Sequence, residues 1–171
     1  MRNLSIVSAA LLTFMTLPAQ AAEEWGIDHE KVTRTDGKVV DLLCEVTGDC
    51  TKSCGAGKRQ LGLLTDDGRL IPVVKNFEPF AGATAELIQS CGKRVSLDGL
   101  LIEDPLMPLF VVQFKKPLPD GKWSRANWFG KEWSKANGGK AAGQWFRMDP
   151  QVKAVLKKDG VFGIPGLKPE E

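Results

Sequence analysis

The sequence predicts a mostly-β domain with helices appended at its C-terminal end. Three observations predict it. Five short runs are rich in β-branched and apolar residues, one Asp-Gly turn joins the second run to the third, and apolar residues switch to helical spacing between the third and fourth runs and again beyond Gly121.

Residues 22–36 are polar, carry the only histidine, His29, and read as a lead-in. Lys38 to Cys44 is the first predicted strand, followed by a polar, Gly- and Cys-rich loop from Glu45 to Lys58. Arg59 to Thr65 is the second strand. Asp66-Asp67-Gly68-Arg69 then supplies a turn whose glycine accepts the positive φ that tight hairpins demand. Leu70 to Val74 is the third strand, with Pro72 marking an edge or a bulge. Between residues 82 and 91, Leu87, Ile88 and Cys91 fall at helical spacing, Thr84 is placed to cap and Gly92 to terminate. Arg94 to Ile102 is the fourth strand, with Val95, Leu97 and Leu101 on one face and a bend at Gly99; Leu109 to Phe114 is the fifth. Three strands, a helix and two strands is the order of an OB fold, a five-stranded Greek-key barrel.

Lys115 to Gly121 reads as a linker into a Trp- and Lys-rich region. Ser124 to Asn137 is predicted helical, with Ala126, Phe129, Trp133 and Ala136 in one stripe and Gly138-Gly139 as terminator. Asp149-Pro150 forms a cap and first turn for a second helix carrying Val152, Val155 and Leu156 and ending at Gly160. A region of about 55 residues is small for a core of its own, so it is expected to pack on the barrel. The predicted organisation is a signal peptide over 1–21, the lead-in over 22–36, an OB-like barrel over 37–116 and a helical extension over 117–171.

The first 21 residues have the three parts of a cleavable secretory signal. Arg2 supplies the positive start, residues 4–17 form an uncharged apolar run ahead of Pro18, and Ala19-Gln20-Ala21 offers the small residues of a cleavage site; Glu23 and Glu24 follow at once. The run is shorter than the ~20 residues that span a bilayer. The mature chain is therefore expected in the periplasm, with no membrane span after cleavage. With 23 basic and 21 acidic side chains there is no basic field for nucleic acid.

The cysteines are Cys44, Cys50, Cys54 and Cys91. In an OB barrel the first and fourth strands pair antiparallel, which brings all four to one end. Export favours two disulfides, and Cys91 is expected to pair with a cysteine of the 44–54 segment while the other two pair locally. Two other readings stay open. Four thiolates suit zinc and two or three suit copper(I), making the chain a metal carrier, although the spacing is not that of a zinc knuckle. A redox-active pair is the third reading, without the usual Cys-x-x-Cys.

No other residues assemble into catalytic machinery, and the chain reads as non-catalytic. His29 is the one histidine a nucleophile system would need, and it sits in the lead-in, far from the thiols. Asp66/Asp67 belong to a turn, and Glu103/Asp104 to a loop where solvation accounts for them. Trp123, Trp128, Trp133 and Trp145 crowd the extension; Trp133 lies on the apolar stripe and reads as packing. Trp128 lies off it and is a candidate contact for a ligand or partner. Lys52, Lys58 and Arg59 are candidate anion contacts, set against their reading as a solvated loop.

Residues Gly37 to Phe114 resemble small exported bacterial proteins with an OB-like barrel and a cysteine-bearing first loop. The residues that carry the resemblance are Gly37 to Cys44, Cys50 and Cys54, Gly62 to Gly68, Cys91-Gly92-Lys93, and Val95, Leu97 and Gly99. It covers about half of the mature chain and implies fold and location. The function expected from the whole reading is an exported binding or accessory module, without cofactor, whose partner is another exported protein or a small ligand. The alternative is a thiol-based carrier of copper or zinc.

Overall fold

A computed structural model describes residues 21–75, 79–140, 143, 145–164 and 166–168. The expected signal peptide, apart from Ala21, lies outside the described residues. Strands β1 (Glu30–Asp41), β2 (Leu61–Thr65), β3 (Leu70–Val74), β4 (Arg94–Glu103) and β5 (Pro108–Pro117) form the barrel. They lie in the order β3-β2-β1-β4-β5, and β3 closes the circle by pairing parallel with β5. The predicted mostly-β, OB-like barrel is thus present, and its antiparallel β1–β4 pair places Lys38 opposite Arg94.

The alternation of each strand explains the core. Val39, Leu61, Leu63, Ile71, Val73, Val95, Leu97 and Phe110 point inward and are sealed from water. Helix α2 (Pro79–Leu87) adds Ala83 and Leu87 to the same cluster, closing one mouth of the barrel. The Asp-Gly turn forms as expected, with Gly68 at φ 84° and the Thr65 N–H donating to the Arg69 carbonyl at 2.9 Å. Gly99 marks a bulge in the β4–β5 register, where a side chain would run into the Val111 carbonyl.

Several boundaries differ from the sequence reading: β2 begins at Leu61 rather than Arg59, β5 runs to Pro117 through the start of the predicted linker, and α2 begins at Pro79, so Thr84 lies inside it rather than capping it. The largest differences are in β1. β1 begins at Glu30, inside the predicted lead-in, because the polar stretch from Glu30 to Lys38 satisfies its backbone against β4. At its other end β1 stops at Asp41 rather than Cys44. The Asp41 carboxylate accepts from the amides of Leu43 (3.0 Å) and Cys44 (3.3 Å), so Leu42-Leu43-Cys44 coil into helix α1 (Leu42–Thr47) instead of extending.

In the extension, Ser124–Arg125 is not helical but a short strand β6 added to β5. Helix α3 (Trp128–Ala136) follows, then a single turn α4 (Trp145–Met148) and helix α5 (Pro150–Asp159). Asp149 caps α5 and Gly160 ends it, as the sequence signals.

Candidate functional surfaces

The four cysteines do gather at one end of the barrel, where α1 and the loop after it meet the chain leaving α2. They form two disulfides, Cys44–Cys50 with a Cα separation of 4.5 Å and Cys54–Cys91 at 6.0 Å. The first is local and closes the turn after α1; the second ties the loop to the start of β4, as expected of Cys91. In this pairing all four thiols are committed, so ligation of copper(I) by two thiolates requires one bridge to be reduced, and a four-thiolate zinc site requires both. Among the described residues no group of three or more His, Cys, Asp or Glu is placed to hold a metal ion.

Arg59, a candidate anion contact, is engaged within the protein. Its guanidinium donates to the Asp49 carboxylate at 2.8 Å and the Asp49 carbonyl at 2.5 Å, and lies 3.5 Å from the Asp41 carboxylate. It thereby fastens the disulfide loop to the cap of α1. Lys52 and Lys58 are exposed, and Lys52 lines a cleft of about 260 Å³ with Lys38, Asp41, Glu45, Cys44 and Cys54. That volume and its mixture of charges fall short of the ~300–1,000 Å³, mostly apolar pockets that hold cofactor-sized ligands. His29 is exposed in the turn before β1, at φ 64°, with its carbonyl accepting from the Glu103 amide. Glu103 lies 3.6 Å from Arg69 of the β2–β3 turn, and Asp104 accepts from the Leu106 amide of its own loop at 2.8 Å, so both acidic residues are engaged within the protein.

The Trp cluster is mainly packing, by a route that sequence spacing did not reveal. Phe129, Trp133, Trp145 and Phe146 form a chain of edge and tilted ring contacts with centroids 4.8–6.1 Å apart. Trp133 is buried and donates its indole N–H to Asp149 at 2.7 Å. That hydrogen bond, aided by the backbone amides of α5, holds the Asp149 carboxyl below its ordinary range. Trp128 is partly exposed, and its ring meets only the edge of Phe129 in this aromatic chain.

Two carboxylates that sequence reasoning passed over organise both ends of the chain. Glu86 of α2 is buried, and its two oxygens accept from the amides of Trp128 (2.8 Å) and Phe129 (3.0 Å) at the start of α3. A carboxylate at a helix N-terminus is favourable by charge as well as by hydrogen bonding. Lys75 stands 3.7 Å away, and Lys115 donates to the Glu86 carbonyl at 2.5 Å. Burial pushes the Lys115 ammonium below its ordinary range, against the opposing pull of Glu86.

Asp98 of β4 is the second. It adjoins core-facing Leu97 and so projects from the outer face of the barrel, yet it is 1 % exposed. Arg34, its cross-strand neighbour on β1, donates from Nε to Oδ2 at 2.7 Å and also lies over the Trp123 ring. The lead-in lies across this face, with the Ala22 N–H donating to Oδ1 at 3.1 Å and the Glu23 N–H to the Gln113 side chain at 3.0 Å. The sequence signal for both carboxylates was present: each is a lone acid inside an otherwise apolar stretch, where burial requires a partner.

Exposed apolar side chains occur singly or in pairs on the barrel, as at Val46, Leu106 and Met107, and form a longer run in the extension. Val155, Leu156, Val161, Phe162, Ile164 and Leu167 are all solvent-facing, and Lys153, Lys157, Lys158 and Lys168 are interspersed with them. No helix among the described residues is long and apolar enough to cross a membrane. Comparison with family models, with curated proteins and with solved structures gives no match, so the functional reading rests on these surfaces.

Proposed function

We propose that the mature chain is a periplasmic, non-catalytic accessory module that binds another exported protein through its C-terminal extension. The observation that carries this reading is the run of exposed apolar residues from Val155 to Leu167, beside an inner face held down by Trp133 and Glu86. Soluble proteins rarely leave such a stretch uncovered without a partner. The interspersed lysines favour a partner whose apolar groove is rimmed by acidic side chains. The disulfide-clamped barrel serves as the rigid mount, a role that suits an oxidising compartment.

The test is a photo-cross-linking residue at Phe162, with a control at Asp66 on the opposite hairpin, in cells that export the protein. A cross-linked protein of discrete mass, lost on Val161→Asp and absent from the control position, is the expected result. No cross-link at Phe162, or binding to anionic vesicles in its place, would overturn the reading. The alternative of a copper or zinc carrier is checked on the same preparation by counting thiols before and after unfolding. Two intact disulfides predict none; free thiols with bound metal would move the functional site to the cysteine end.

A further inference from the structure

The Ala19-Gln20-Ala21 motif places the scissile bond of the leader between Ala21 and Ala22. Ala22 is also the residue whose backbone nitrogen rests on buried Asp98. We propose that cleavage at this bond creates the ion pair for which the site is built: the new α-ammonium of Ala22 seats against Asp98, and processing thereby fastens the mature N-terminus to the barrel. The inference rests on the export reading, since only removal of the leader generates that ammonium.

The chemistry is ordinary amide hydrolysis by a leader endopeptidase acting on the translocating chain before it folds. Water adds across the Ala21–Ala22 peptide bond, its oxygen goes to the Ala21 carboxylate, and the Ala22 nitrogen leaves as an amine that takes up a proton. A neutral N–H donor at Oδ1 becomes a cationic donor in the same position. Asp98 already gives Oδ2 to Arg34, but that guanidinium is half exposed and screened, whereas the carboxylate is nearly dry. The charged groups facing the new ammonium are Asp98 from β4 and Arg34 from β1. β5 contributes the uncharged Gln113, and Glu23 and Glu24 follow on the segment itself. An extra residue before Ala22 leaves a neutral amide at Oδ1 and moves the ammonium one residue out, to Ala21, which is exposed.

The experiment uses the protein recovered from the periplasm. Its intact mass fixes the first residue, and the Ala22 methyl resonance followed against pH reports the titration of the amine. An α-amine ordinarily titrates near ~7.7–8.0; pairing with Asp98 is expected to raise this by at least about one unit, and Asp98→Asn to return it to the ordinary range. The sign follows: the stabilisation is full below the ordinary value and fades as pH rises through the raised one. A chain that retains Ala21 keeps Asp98 intact and is expected to melt about 3–6 °C lower near neutral pH, the difference closing at alkaline pH. A mature chain starting at Ala22 whose amine titrates in the ordinary range, or whose stability equals that of the Ala21-retaining chain, overturns the pairing alone. A mature chain starting elsewhere, or an uncleaved chain, overturns the export reading and the pairing with it.

Discussion

In the barrel, Val39, Leu61, Leu63, Ile71, Val73, Val95, Leu97 and Phe110 exclude water entirely, and two disulfides clamp one end. Beyond Pro117, Ala126 and Trp133 are the buried hydrophobic residues among those described, and Ala126 belongs to the barrel's own cluster. The extension is held from outside by Glu86 at the start of α3, and within itself by a chain of aromatic rings and the Trp133–Asp149 hydrogen bond. One region is stabilised by apolar burial and the other by a few directed polar contacts. The two should therefore fail under different insults.

Phe110→Ala should show the largest difference. Deleting that ring from the sealed core is expected to cost about 3–5 kcal/mol in urea unfolding, against less than about 0.5 kcal/mol for Phe162→Ala on the exposed side of the extension. Equal costs would erase the distinction between the two regions. Next come the bridges. Cys54→Ser with Cys91→Ser opens a bridge of sequence separation 37 and should cost about 4 kcal/mol by chain entropy. Cys44→Ser with Cys50→Ser opens one of separation 6 and should cost about 2 kcal/mol. Glu86→Gln leaves one α3 amide without its acceptor and should cost about 1–3 kcal/mol, concentrated in the extension. Limited proteolysis should then cut around α3 while the barrel stays intact; cuts spread through the barrel would mean that Glu86 supports the core instead.

The smallest effect is one of pH. Asp149 titrates below its ordinary range when folded, so its contribution is complete above that range and fades as pH falls through the lowered value. Tryptophan fluorescence should report loosening of the extension on the acid side before far-UV dichroism reports loss of strands. Asp149→Asn should abolish that early fluorescence step.

The barrel was legible because its signals are local and repeated: alternation in five short runs, a hairpin turn at Gly68, a helix between the third and fourth strands. Strand order placed the cysteines at one end and Cys91 against the 44–54 segment, but left open which cysteine it takes; the fold selects Cys54. The limits of β1 were not legible, because pairing with β4 extends the strand backward through polar residues, and the Asp41 cap overrides the apolar run that follows it. The anchoring carboxylates were missed for a related reason. Glu86 and Asp98 find their partners 42 and 76 residues away, and nothing in their own neighbourhoods names those partners. Arg59 reads in the sequence as a candidate anion contact, and the fold supplies its anions from Asp41 and Asp49, 18 and 10 residues away.

The parallel seam between β3 and β5 rests on Val73 opposite Phe110 and Val74 opposite Val111, far shorter than the β1–β4 and β4–β5 ladders. A cylinder closed by so short a seam has a preferred line of rupture. Thermal opening along it would bare two strand edges at once, each able to accept a strand from a second molecule. Deuterium uptake should start at these seam amides, and strand-exchanged dimers, rather than amorphous precipitate, should be the first product of heating a concentrated solution.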